Sequence, residues 1–171
     1  FALWMFGKIL ENVWGAKRFL TYYMITGIGA AFVHLAVCQY EIMSLQSQLN
    51  PNDLSILLEN GGGLLANFQN YTHPMMGKLN LLINTPTVGA SGAVFGILLA
   101  FGMLFPNTLL YIYFAIPIKA KYFVILYGIM ELYAGISNNP ADNVAHFAHL
   151  GGMLFGFIIL KYWQKNNTQF Y

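Results

Sequence analysis

Residues 91–104 read Ser-Gly-Ala-Val-Phe-Gly-Ile-Leu-Leu-Ala-Phe-Gly-Met-Leu, an apolar run without a charge that Pro106-Asn107 brings to a stop. Fourteen helical residues reach about 21 Å, whereas the hydrocarbon core of a bilayer is roughly 30 Å thick. A helix of this length that meets one membrane face must begin about 9 Å below the other. Its first residue, Ser91, then stands at a sunken start beside the free amides of a helix N-terminus. Irregular backbone at that depth is tolerated only where protein or a water-filled cavity satisfies it. Flanked by Gly89-Ala90 and Gly92, Ser91 is a functional candidate by position alone.

The rest of the chain supports a membrane reading. It is 57% hydrophobic and only 8% charged, where a soluble domain carries about a quarter charged residues. A net charge of +2, dispersed along the chain, is too small for a nucleic-acid partner. Cys38 is the only cysteine, which excludes an intrachain disulfide and a cysteine-ligated metal. The pattern predicts an all-α, polytopic transmembrane bundle over 1–171 as a single domain, with five segments at 1–14, 19–38, 91–104, 122–137 and 143–163. A long external loop covers 39–88. Within it Asn50-Pro51 and Asp53 read as a helix start, Gly61-Gly62-Gly63 as a stop, and Leu64–Asn84 as an interfacial stretch. Pro106 and Pro117 make 106–121 interfacial rather than spanning. Phe1 begins inside an apolar helical pattern with no basic leader, so the chain reads as starting partway through a span.

Charge placement orients the segments. Lys17 and Arg18, then Lys119 and Lys121, then Lys161 and Lys165 fall at alternate ends of successive crossings. The positive-inside rule makes that side cytoplasmic and brings Ser91 near the outer face.

The last segment offers a partner. If it enters from the outer side near Asn143, His149 lies about 9 Å deep, the depth inferred separately for Ser91. Gly152 and Gly156 continue the helix face that His149 heads. Gly92, Gly96 and Ala100 form a matching stripe after Ser91. Small residues at this spacing let membrane helices approach closely. Two such stripes facing each other would set Ser91 against His149 as nucleophile and general base.

Other readings of the same residues stand beside this one. The Gly-x-Ser-Gly string is also a packing motif, and a lone buried histidine is satisfied by a carbonyl. His146 and His149, three apart, could ligate a metal, although no further carboxylate or cysteine is evident to complete the set. With His34 they permit a haem. Glu131 reads as interfacial, near the outer end of its segment. Asp142, seven residues before His149, is about 10 Å away on one helix, so the pattern favours a Ser–His dyad over a triad.

These residues resemble the rhomboid family of intramembrane serine proteases. Gly89-Ala90-Ser91-Gly92 followed by Ala-Val-Phe95-Gly96 is similar to its nucleophile motif, and Ala148-His149-Leu-Gly-Gly152-Met-Leu-Phe-Gly156 to its last-span pattern. The phasing of those glycines selects His149 over His146. Gly7, Glu11 and Gly15 look like the family's second span and the turn after it. The resemblance implies a serine endopeptidase that cleaves transmembrane helices of other membrane proteins. Ser91 and His149 would be catalytic, with the Ser91 and Gly92 amides as oxyanion donors. Gly89, Phe95, Gly96, Gly152 and Gly156 would support them, Phe95 by packing on the histidine ring. No cofactor or metal is required, and partners would be helical membrane substrates and the lipid bilayer. The location implied is integral and multi-pass, in a bacterial inner membrane. The family's first span and a His-x-x-x-Asn motif that helps bind the oxyanion have no counterpart before Phe1, so the chain reads as N-terminally incomplete. A catalytically inactive rhomboid-like scaffold is the alternative function, and a haem or metal membrane protein a further one.

Overall fold

The computed structural model of the chain describes residues 1–87, 89–112, 115–137 and 145–166. It divides into two compact units, one of Phe1–His34 with Gly89–Tyr171 and one of Leu35–Val88.

The first unit opens with a π-helical stretch, Leu3–Gly7, that continues into α1 (Lys8–Trp14). Gly15 ends that helix at φ 78°, a conformation glycine adopts without steric cost. The chain then turns into α2 (Ala16–Gln46), whose 31 residues run on into the second unit. After the second unit come α5 (Ser91–Leu104), a hairpin of β1 (Leu109–Ile112) and β2 (Ile116–Lys119), α6 (Ala120–Ser137) and α7 (His146–Asn166).

The apolar run at 91–104 forms a helix with the expected ends, and it is the core of its unit. Nine of its fourteen residues are buried, among them Gly92, Gly96, Ile97 and Phe101. A helix apolar all round must be covered all round, and α7, α6, α1 and the N-terminal stretch pack against it. Phe6, Leu10, Trp14, Tyr22, Phe101 and Leu160 form the cluster beneath it. Phe6 lies 4.8 Å from Phe101, and Trp14 meets Trp163 edge-on at 5.7 Å, between ring centres.

The outside of this unit is apolar as well. Leu20, Met24, Ile28 and Phe32 on α2, and Ile125, Ile129, Met130 and Ile136 on α6, are exposed. Contiguous apolar surface of this kind marks contact with a membrane or another protein, and hydrocarbon removes its cost in water. Among the described residues α2 is the one helix both long and apolar enough to cross a bilayer. It extends well beyond the expected 19–38, while α6 and α7 lie close to the expected 122–137 and 143–163.

Three expectations need correction. The stretch 106–121 is not merely interfacial: it carries an antiparallel hairpin, so the fold is mostly rather than wholly helical. Leu109 pairs with Lys119 and Ile112 with Ile116. Pro117 forbids a helix here but is admissible in a two-stranded ribbon, where every strand is an edge. The amides of Ala120 and Lys121 close the base on the carbonyls of Thr108 and Pro106, at 2.8 and 3.2 Å.

The span 39–88 is not a plain loop. It holds the end of α2, then α3 (Pro51–Ala66) and α4 (Pro74–Asn84). Asn50 caps α3 as expected, its side chain accepting from the Asp53 amide at 2.8 Å.

Gly61-Gly62-Gly63 does not stop that helix, and the first of the three serves its packing. The Asn80 side chain of α4 donates to the Gly61 carbonyl at 3.0 Å, and a Cβ on Gly61 would collide with Asn80 Oδ1. Asn80 also donates to Asn70 and accepts from Asn84, at 3.0 and 2.8 Å. Leu57, Met76 and Leu79 form the small core beside this network.

Asn80 is fully buried, and its removal takes the side-chain donor from the carbonyl of the buried Gly61. Asn80→Ala should therefore destabilise the second unit by about 1–3 kcal/mol. Hydrogen exchange across α3 and α4 should accelerate while α5 keeps its protection; equal rates in the two proteins would show that the network contributes nothing.

Candidate active site

Ser91 is the first residue of α5. Gly89, two residues earlier, sits at φ 148°, where a side chain would be strained. No side chain caps the helix. The first-turn amides, Ser91 and Gly92 among them, therefore lack an intrahelical acceptor, and they surround the serine with partial positive charge.

His149, on the first turn of α7, is buried with 7% of its surface exposed. Its Nε2 lies 2.9 Å from Ser91 Oγ. What allows this approach is a glycine-lined seam between α5 and α7. A Cβ on Gly152 would run into the carbonyl of Gly92, and one on Gly92 would come within 2.9 Å of the Ala148 carbonyl oxygen. A Cβ on Gly96 would stand 3.0 Å from the Gly152 oxygen. Gly156 leaves room for the buried Tyr22, whose hydroxyl donates to the Gly96 carbonyl at 2.8 Å. Phe95, one turn after Ser91, stacks on the His149 ring with centres 4.0 Å apart and planes 8° from parallel. The fold thus brings together Ser91, His149, Phe95 and the glycines at 92, 96, 152 and 156.

A carboxylate stands at the ring as well, contrary to the expectation of a dyad. Glu131 on α6 places Oε2 at 2.8 Å from His149 Nδ1 and 2.7 Å from His146 Nδ1. An ionised carboxylate only accepts, so both Nδ1 atoms carry their hydrogens toward it. That tautomer leaves the lone pair of His149 Nε2 facing Ser91, whose hydroxyl donates. The Glu131 side chain is buried against these rings, only 12% exposed. Asp142, the acid weighed from the sequence, lies outside the described residues, as does the 138–144 connection. The acid at the ring lies 18 residues from His149 and is delivered by the packing of α6 on α7, which no spacing within one helix reveals. One signal was available: Glu131 is the only charge in 122–137, and an ionisable residue inside an apolar span is a functional candidate by default.

The same carboxylate supplies what a metal reading lacked. Glu131, His146 and His149 each offer a ligand atom, and those atoms all lie within 4.8 Å of one another. His34, of the haem reading, lies on α2.

A family model described as the Rhomboid domain matches residues 1–49 and 52–165. An uncharacterised mitochondrial rhomboid protein of Schizosaccharomyces pombe is 34% identical over 89 residues, covering 48% of this chain and 23% of that protein. The chain thus corresponds to under a quarter of that relative's length. Its mitochondrial designation lends no support to a bacterial inner membrane. No solved structure matches the chain.

The seam predicts its own sensitivity. A leucine at Gly152 would force α7 away from the Gly92 carbonyl, and misplacement by 1 Å can cost about a hundredfold in rate. Gly152→Leu should lose Ser91 reactivity toward a fluorophosphonate by about that factor. Labelling at the normal rate in a folded variant would show that the seam does not set the geometry.

Proposed function

The chain belongs to the rhomboid family, whose members are integral to membranes, and on that premise we propose that it is an intramembrane serine endopeptidase cutting transmembrane helices of other membrane proteins. The observation that carries this reading is the 2.9 Å contact between Ser91 Oγ and His149 Nε2 at the uncapped start of a buried helix. The membrane arrangement we infer is multi-pass, with the short helix α5 beginning below the outer surface. The lipid bilayer and helical membrane substrates are the partners, and neither nucleic acid nor a cofactor enters the reaction.

In the proposed reaction Ser91 Oγ attacks the scissile carbonyl as His149 Nε2 takes its proton. The imidazolium is stabilised by Glu131 on its other nitrogen, and later returns the proton to the departing amine. The carbonyl oxygen gains negative charge and accepts from the first-turn amides of Ser91 and Gly92, with the dipole of α5 behind them. Water then attacks the acyl-enzyme with His149 again as base, and Ser91 is restored. Phe95 holds the ring against rotation, and the substrate helix must unwind locally for its carbonyl to enter. Glu131 is a positioning residue here, since it touches the base and not the substrate.

Reconstituted in liposomes with a transmembrane substrate, the full-length protein should be labelled by a fluorophosphonate at Ser91, as peptide mapping would locate. Ser91→Ala and His149→Ala should each reduce cleavage by about 10³-fold or more, while His146→Ala keeps substantial activity. Absence of both label and cleavage in folded protein would favour an inactive rhomboid-like scaffold. Equal losses at the two histidines would defeat the choice of His149 as base.

Glu131→Gln should lower kcat by about 10²–10⁴-fold with little change in KM, because an amide can donate to Nδ1 and stabilise the wrong tautomer. A change confined to KM would remove Glu131 from the mechanism.

A further inference from the structure

We propose that Glu131, His146 and His149 form an inhibitory site for a divalent transition-metal ion of the zinc type, built around the catalytic base. The inference rests on the serine-protease reading for its consequence, although not for the binding itself.

Two imidazole nitrogens and one carboxylate oxygen converge here, with side chains only 14%, 8% and 12% exposed for His146, His149 and Glu131. A His₂Glu set with a fourth position left open is a zinc-binding constellation. Magnesium and calcium require shells of oxygen and do not suit it. Tetrahedral ligands at zinc stand about 3.3 Å apart, whereas Oε2 lies 2.7 and 2.8 Å from the two Nδ1 atoms and the three ligand atoms spread over as much as 4.8 Å. Binding must open the two carboxylate contacts by roughly half an ångström and draw the two rings toward each other, so the site forms by movement of all three side chains.

The consequence for catalysis follows from proton positions. A metal on His149 Nδ1 takes the lone pair there, so the neutral ring carries its hydrogen on Nε2. That nitrogen then donates to Ser91 Oγ and cannot accept its proton. The general base is lost through the tautomer, and the rate falls with it. His146 is what distinguishes this chain's site from a serine–histidine–carboxylate arrangement alone, because without it only two ligands remain.

The test uses the full-length protein in liposomes, with zinc or cobalt alone as probe. Low micromolar free zinc, held by a metal buffer, should suppress cleavage by the native protein. Magnesium at much higher concentration should not, and a chelator should restore the rate. The half-inhibiting zinc concentration, read within each protein so that basal rate cancels, should rise about tenfold or more in His146→Ala.

Cobalt absorption gives a readout independent of turnover. Native protein and Ser91→Ala should bind one ion with equal affinity, and Glu131→Gln and His146→Ala should bind it more weakly. If zinc inhibits native protein and His146→Ala alike, or cobalt binds Glu131→Gln as tightly as native protein, the proposal is overturned. Should no protein cleave or take the fluorophosphonate while cobalt still binds with this dependence, the protease reading fails and the metal site stands.

Discussion

The approach of α5 to α7 is the contact on which the first unit turns. Helices packed through ordinary side chains stand 8–10 Å apart, whereas glycines at the contact let backbone come against backbone. Here the carbonyl of Gly92 occupies the space where Gly152 would otherwise carry a Cβ. Each side of the seam depends on the other, for Gly96 faces the Gly152 carbonyl and Gly156 faces Gly96 and Tyr22. In hydrocarbon no water-driven force presses helices together, so association rests on close packing and hydrogen bonds. The Tyr22 hydroxyl on the Gly96 carbonyl adds one such bond at the base of the seam.

That dependence explains what the sequence could reveal. The seam consists of residue types at fixed spacing on two helices, and spacing is what a sequence displays. The ends of α5 and the pairing of Ser91 with His149 were legible for this reason. The place of Phe95 and the part of Gly89 came from the family resemblance, and the φ of 148° at Gly89 was not foreseen. The roles of these residues in a reaction are a separate matter, which the cleavage and labelling experiments decide.

What escaped was contact between elements whose sequences carry no matching signature. Glu131 reaches His149 because α6 packs on α7, where Gly128 faces Met153 and Gly135 faces Phe147 and His146, a sparser spacing than the stripes of α5 and α7. Along the histidine's own helix Asp142 fails on distance, and the acid arrives from the side. The glycines at 61–63 misled for the opposite reason. They look like a helix stop, yet Gly61 is where the Asn80 side chain comes against the α3 backbone. Local propensity counts them against a helix at about 1 kcal/mol each relative to alanine. Against that cost stand the hydrogen bonds of the buried Asn80 side chain to Gly61, Asn70 and Asn84. The hairpin at 109–119 was hidden by its prolines, which exclude a helix without excluding a strand in a two-stranded ribbon.

The position of Glu131 also bears on how a histidine base operates inside an apolar core. A neutral imidazole has two tautomers, and only the one protonated at Nδ1 can accept from Ser91. In water, solvent would supply a partner for either nitrogen. Buried beneath Phe95 and against the seam, His149 has Glu131 on one nitrogen and Ser91 on the other. The carboxylate thereby decides which tautomer is present, and it offers a counter-charge when the ring becomes imidazolium. Burial of such an acid costs several kcal/mol unless hydrogen bonds compensate. The two imidazole rings at Oε2 supply them. In the metal site proposed above, the same two donors, stripped of their hydrogens, would become ligands. On that proposal, an arrangement that steadies a buried carboxylate beside the proposed base carries with it a susceptibility to a competing cation.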